Sequence, residues 1–251
     1  MPIARARSLT SRERSPAADR ALGLVLCLVA GSVNVSGLLL AGQVTSHMTG
    51  FVTAASARVA GGAWGPALLA AAAVAAFLAG AATCALLVRA GRHTRLHAEF
   101  AWPLGLEAAV LLALAGAGAP PGRVDAAVLV MLLCFAMGLQ NALITKLSRA
   151  EIRTTHVTGI VTDLGIEAGR ALATRLGLGA PEAPPAAGRG ERARLLAGLL
   201  GAFFAGGVAG GWLAGAWGAR AFAPPALLVA ACAVVPIWDD VRAWRRRPTA
   251  S

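Results

Sequence analysis

The sequence predicts an all-α integral membrane protein. Six transmembrane helices form two inverted three-helix repeats, each with a polar His-Thr-Gly segment after its first helix. Three observations lead there. The 251 residues are 57% hydrophobic and only 14% charged, where soluble domains carry roughly 25% charged residues. The basic residues gather in every second loop. Finally, a nine-residue segment occurs twice, as Thr45-Ser46-His47-Met48-Thr49-Gly50-Phe51-Val52-Thr53 and as Thr154-Thr155-His156-Val157-Thr158-Gly159-Ile160-Val161-Thr162, with six positions identical.

A helix needs about 20 predominantly apolar residues to cross the hydrocarbon core. Six runs suit that role: 21–42, 67–88, 102–119, 125–145, 194–217 and 221–238. Nothing left over is long and mixed enough for a soluble domain. The reading is therefore one membrane domain, 21–240, with repeat one at 21–119 and repeat two at 125–238. An Arg-rich segment, 1–20, reads as a disordered cytoplasmic tail bounded at Ser15-Pro16, and 241–251 reads as a basic cytoplasmic tail. The basic start resembles a signal peptide, but the first apolar run exceeds a typical signal core and five more follow, so an uncleaved span is expected.

The net charge of +11 raises nucleic acid and anionic lipid as partners. Its distribution points to topology instead. Twenty of the 23 basic residues fall in segments assigned to one side, leaving Arg58, Arg123 and Arg220 on the other. This is the positive-inside pattern of a multi-pass protein of the bacterial cytoplasmic (inner) membrane, both termini cytoplasmic. No basic patch with interleaved aromatics supports nucleic-acid binding, so the expected partner is the lipid bilayer. Trp64, Trp102, Trp217 and Trp238 fall at span ends, where amphipathic rings prefer the interface. Cys27, Cys84, Cys134 and Cys232 lie within apolar runs without a Cys-x-x-Cys, as small hydrophobes do; neither disulfides nor a metal cluster is expected.

Residues 116–124 make a turn between the halves, and 177–190 a Pro/Gly-rich flexible loop. Each half then runs span, polar segment, span, span. A second element matches: Gly31-Ser32-Val33-Asn34 precedes the first polar segment and Gly138-Leu139-Gln140-Asn141 the second. A repeat of three spans must invert, relating the halves by a pseudo-two-fold axis in the membrane plane. Gly207, Gly211 and Gly215 recur every four residues, as do Gly206 and Gly210. That spacing suits close packing within the chain or in a homo-oligomer.

Candidate functional residues follow from polarity in an apolar setting. Gln43–Ala60 and Ile152–Leu176 are too polar for lipid-facing spans. They are interfacial amphipathic helices, or re-entrant elements satisfied by protein or a watery cavity. Thr49-Gly50 and Thr158-Gly159 suit a break, since glycine allows close approach. His47 and His156 suit a proton relay, a substrate contact or loop hydrogen bonding; without nearby carboxylate or thiolate they make a poor metal site. Asn34, Gln140 and Asn141 lie within spans, as helix-joining amides or substrate contacts. Glu107 either sits inside the bilayer, a functional position by default, or snorkels outward. Asp163, Glu167 and Arg170 fit a solvated helix face.

Gly31-x-x-Asn34, Thr49-Gly50, Gly138-Leu139-Gln140-Asn141-Ala142 and Thr154-Thr155-x-x-Thr158-Gly159 resemble the YoaK family, bacterial six-span membrane proteins of unknown function. The resemblance covers roughly residues 20–240 and is most specific in the second half. Family members typically carry Asp at the position of Asn34 and often Asn at that of Phe51, and both motif histidines are unusual among them. The resemblance implies the architecture and no substrate, reaction or cofactor.

The expected function is a small-solute transporter or channel, its site between the repeats and lined by Asn34, His47, Thr49, Asn141, His156 and Thr158. A non-catalytic scaffold or sensor is the alternative. An intramembrane enzyme is disfavoured: Ser36-Gly37 lacks the Gly-x-Ser-Gly context, and no His-Glu-x-x-His or nucleotide-binding loop is readable.

Overall fold

The computed structural model describes residues 15–94, 99–117, 125–147, 154–178 and 189–245. Every element among them is helical: α1 (Pro16–Ala41), α2 (Met48–Ala60), α3 (Trp64–His93), α4 (Ala101–Ala117), α5 (Ala126–Leu147), α6 (Val157–Arg175), α7 (Arg189–Trp217), a 3-10 turn (Gly218–Phe222) and α8 (Ala223–Arg245). By length and hydropathy, α1, α3, α5 and the stretch Gly190–Arg245 are candidate membrane spans, and α4 is a shorter apolar helix. The last stretch has 56 residues and holds α7 and α8, parted by the 3-10 turn. In hydrocarbon a backbone must satisfy its own hydrogen bonds, and helices do so within the segment. The chain is a helical membrane protein. Residues 1–14 of the N-terminal tail, 118–124 of the inter-half turn, most of the Pro/Gly loop and 246–251 of the basic tail lie outside the described residues.

Local chemistry explains the helix ends. Ser15 caps α1: its Oγ accepts from the Ala18 amide at 3.2 Å, Pro16 sits at the first helical position and Asp19 lies in the first turn. All three favour a helix start there. The helix therefore begins five residues inside the segment read as a disordered tail. It ends at Gly42, in the left-handed region at φ 70°, whose amide bonds the Leu38 carbonyl. The repeated segments begin directly after α1 and shortly after α5, and the residues preceding α2 and α6 are His47 and His156. Each of these two helices buries a single residue, Phe51 in α2 and Ile160 in α6, at the same repeat position. They are therefore surface helices with one apolar anchor each, α2 against α3 and α6 against α7.

The long helices pack in three main pairs: α1 along α7, α3 along α5, and α4 along α8. The first two pairs approach backbone to backbone. A Cβ added to Gly31 would land in the Phe203 carbonyl, and one on Gly206 in the Leu28 carbonyl; Gly210 faces Ser32 in the same way. Likewise Gly80 meets the Phe135 carbonyl and Gly138 the Phe77 carbonyl. Small residues permit this closeness where no hydrophobic force drives helices together in lipid. Of the span-five glycines singled out above, Gly206 and Gly210 make backbone contacts within the chain, Gly207 and Gly211 face Val35, and Gly215 faces open space. A common core of Leu26, Leu104, Leu111, Leu133, Leu139 and Phe222 joins α1, α4, α5 and the 3-10 turn. Leu68, Leu78 and Leu86 of α3 point outward, as suits a helix with hydrocarbon on most of its surface.

Gly31→Val and Gly138→Val should each force a helix pair apart, with at least the ~1–3 kcal/mol typical of overpacking. Lowered thermal unfolding midpoints in detergent and loss of a monodisperse elution peak are expected, whereas Gly215→Ala should leave both unchanged.

Candidate functional site

Asn34 of α1 and Asn141 of α5 are both buried, and each pins the chain just ahead of a motif helix. The Asn34 Oδ1 accepts from the Ser46 amide at 2.9 Å, and its Nδ2 donates to the Ala30 carbonyl at 2.8 Å. The Asn141 Oδ1 accepts from the Thr155 hydroxyl at 2.7 Å. Ser46 and Thr155 hold the same position in the two copies of the repeat. A break between helices frees backbone groups that need partners when water is absent. The two carboxamides hold those breaks in place.

The first residue of each repeat, Thr45 and Thr154, is fully buried. Here the halves differ. The Thr154 hydroxyl accepts from Gln140 Nε2 at 3.3 Å, and that amide also donates to the Leu26 carbonyl at 2.8 Å. The Cys27 thiol donates to the Thr154 carbonyl at 3.6 Å. The Thr45 methyl and Leu133 both border the space that a Cβ on Gly37 would fill, and the Thr45 hydroxyl has no partner. The place of Gln140 in Gly-x-x-Asn is held by Val33 in α1, which has no amide to offer. Gln140 Oε1 and Asn141 Nδ2 are also without partners. Each such group costs about 1–3 kcal/mol in an apolar interior. Thr45, Thr154 and Cys27 were not singled out as site residues from sequence. Their signal was available, since both threonines open the repeat and Cys27 and Cys134 each lie seven residues before its Asn.

The remaining predicted residues separate into two groups. His47 and Thr49 are exposed, and the His47 imidazole lies over Gly50, where a Cβ would meet Nδ1 at 2.6 Å. His156, Thr158 and Gly159 are also exposed. The structure thus places Asn34, Gln140 and Asn141 in the buried interior and the histidines and their following Thr residues at the surface. Glu107 is buried in α4 with no partner for either carboxylate oxygen; it does not snorkel. Asp163 and Glu167 sit on an ion-paired face: Arg192 meets Asp163 at 2.9 Å and Arg170 meets Glu167 at 3.0 Å. Arg20 meets Glu191 at 2.7 Å, and that hydrogen bond, then the guanidinium charge, holds the Glu191 carboxyl below its usual range. Such exposed pairs stabilise little. They nevertheless tie α1 to α7 and α6 to α7.

Over residues 22–235 the chain matches the family described as Protein of unknown function (DUF1275). The chain belongs to this family. The match spans both Gly-x-x-Asn elements and both copies of the repeat, and is consistent with the YoaK resemblance. No curated protein and no solved structure matches the chain. The family description assigns this DUF1275 protein no activity, so function rests on the geometry.

The two repeat threonines should respond in opposite ways. Thr45→Val removes an unpartnered hydroxyl and should be neutral or stabilising. Thr154→Val breaks the Gln140 contact and should destabilise by about 1 kcal/mol. Thermal unfolding of the two variants in detergent decides; equal effects would deny the asymmetry.

Proposed function

We propose that this DUF1275 protein is a small-solute transporter or channel of the bacterial cytoplasmic membrane. In this reading six spans form two inverted three-span repeats, both termini are cytoplasmic, and the site lies between the repeats around Asn34, Gln140 and Asn141. One observation carries it. The paired Asn elements and the residue that opens the first repeat leave a carbonyl oxygen on Gln140, an amide on Asn141 and a hydroxyl on Thr45 buried without partners. Buried donors and acceptors left open in this way are what a polar solute would bind.

The helix pairing supports the inverted repeat. Exchanging the halves turns the α1–α7 pair into α5–α3 and returns α4–α8 to itself. Gly31 against Phe203 becomes Gly138 against Phe77, and Gly206 against Leu28 becomes Gly80 against Phe135. The loop charges support opposite orientations of the halves. Rocking one half against the other would open the site alternately to each side, and the exposed His47, Thr49, His156 and Thr158 would line the two mouths.

The exposure of the motif helices also favours a second reading, a non-catalytic scaffold or sensor presenting those helices to a partner. An intramembrane hydrolase has less support, because the Ser36 hydroxyl donates to the Gly210 carbonyl at 3.1 Å instead of facing a base.

Thiol accessibility separates the readings. With His47→Cys or His156→Cys in a Cys-free chain, impermeant reagent should label 47 only from outside and 156 only from inside, slowed by a solute of the right class. Fast labelling that no solute slows would favour the scaffold or sensor, and labelling of both from one side would sink the inverted repeat. Alanine at both histidines should abolish flux of that solute without loss of expression; wild-type flux would remove them from the pathway.

A further inference from the structure

Glu107 differs from every other buried carboxyl among the described residues. Glu99 is buried but its Oε1 accepts from Arg92 Nε at 3.0 Å. Asp240 is buried and engaged. Glu107 is fully buried and neither of its oxygens has a hydrogen-bond partner. It lies six residues into α4, about 9 Å along the axis at 1.5 Å per residue. An isolated ionised carboxylate in an apolar interior is prohibitively costly, so the group must hold something that neutralises it.

Among the described residues no basic side chain bonds either oxygen of Glu107. α4 packs on α8, where Gly105 closes against the Ile237 side chain. Pro236 lies just before that contact, inside α8. Proline has no amide hydrogen, so the Cys232 carbonyl, four residues earlier, loses its helical donor. Cys232 lies within electrostatic reach of Glu107, as does Cys84 on α3. Lys146, at the exposed end of α5, reaches the same Cys84 thiol electrostatically. Arg220, on the 3-10 turn that also packs on α4, is exposed. The basic residues of α3, Arg89 and Arg92, lie one to two turns beyond Cys84, toward the end of that helix.

The geometry points to Glu107 as an exchangeable monovalent-cation site, taking a proton or Na⁺ on its two unpartnered carboxyl oxygens. The occluded form carries the cation, and a state that opens the α4–α8 contact to water releases it. This rests on the transport reading above and supplies its coupling ion. The site sits on α4 and α8, the pair that exchange of the halves leaves in place, and not on α1 and α5, which carry Asn34 and Asn141. Its position in the second half carries no acid, since α8 holds none between Ala223 and Trp238. One coupling cation per chain is therefore expected.

The test is carboxyl labelling of the full chain in proteoliposomes. Dicyclohexylcarbodiimide, an apolar reagent, adds to a protonated buried carboxyl and leaves a stable N-acylurea that peptide mass spectrometry locates. Labelling at Glu107 should fall severalfold from acid to alkaline pH, vanish in Glu107→Gln and persist in Glu107→Asp. A severalfold loss when Na⁺ replaces choline at constant pH identifies Na⁺ as the cation; dependence on pH alone identifies the proton. No labelling at any pH, or labelling indifferent to both pH and Na⁺, would overturn the inference and make Glu107 a permanently closed structural acid. Should Glu107→Gln fail to fold, the wild-type pH and Na⁺ series still decides. Constant labelling sinks this inference and leaves the transport reading standing. Titrating labelling beside fast thiol labelling at 47 and 156 that no solute slows does the reverse.

Discussion

The structure depends on backbone-to-backbone contact at glycine. Gly31 and Gly206 let α1 and α7 close until side chain gives way to carbonyl, and Gly80 and Gly138 do the same for α3 and α5. Each contact joins a helix from the first half of the chain to one from the second. In lipid the apolar side chains of two helices gain little by meeting, so such close approach carries the association. Everything at the centre follows from it. Thr154, from the second half, reaches Cys27 and, through Gln140, the Leu26 carbonyl of the first. Gly37, from the first half, makes room for Leu133 of the second, where a Cβ would meet that side chain at 3.3 Å.

Within that frame the polar residues do two jobs. Asn34 and Asn141 hold the breaks where the chain leaves a long helix for a surface one, Asn34 by serving the freed Ser46 amide and Asn141 by accepting from the Thr155 hydroxyl. Gln140 goes further and links two segments of opposite halves, while Val33 at the equivalent place links nothing. The interior is therefore built on matched positions with unmatched chemistry. Within the two repeat elements the unpartnered atoms lie on the first-half threonine and the second-half amides.

The two ends of the bundle are fastened differently. At the end carrying most basic residues, Arg20–Glu191 and Arg192–Asp163 strap α1 and α6 to the start of α7. At the other, Arg58 donates to the Pro66 carbonyl at 3.2 Å, across the Gly61-Gly62 turn of a single hairpin. Exposed ion pairs contribute little to stability and are screened by salt, so these straps position the helix ends more than they hold the bundle together.

Much was readable in the residues themselves. Apolar run length and the scarcity of charge determined that the chain is a helical membrane protein, because hydrocarbon admits few backbone forms. The repeated nine residues and the paired Gly-x-x-Asn marked the breaks, and Asn34, Gln140 and Asn141 were identified as polar residues within spans, whereas α1 starts at Pro16, inside the segment 1–20 read as a tail. Tertiary structure alone decided the rest. It chose which glycines touch a backbone, since four-residue spacing names a helix face but not its partner. It turned the two histidines outward and the two threonines inward, because a residue that precedes a helix is aimed by the turn and not by helical periodicity. It also left Glu107 without a partner. A sequence can show that a carboxyl lies in an apolar run, but whether another helix brings it a donor is settled only when the helices pack.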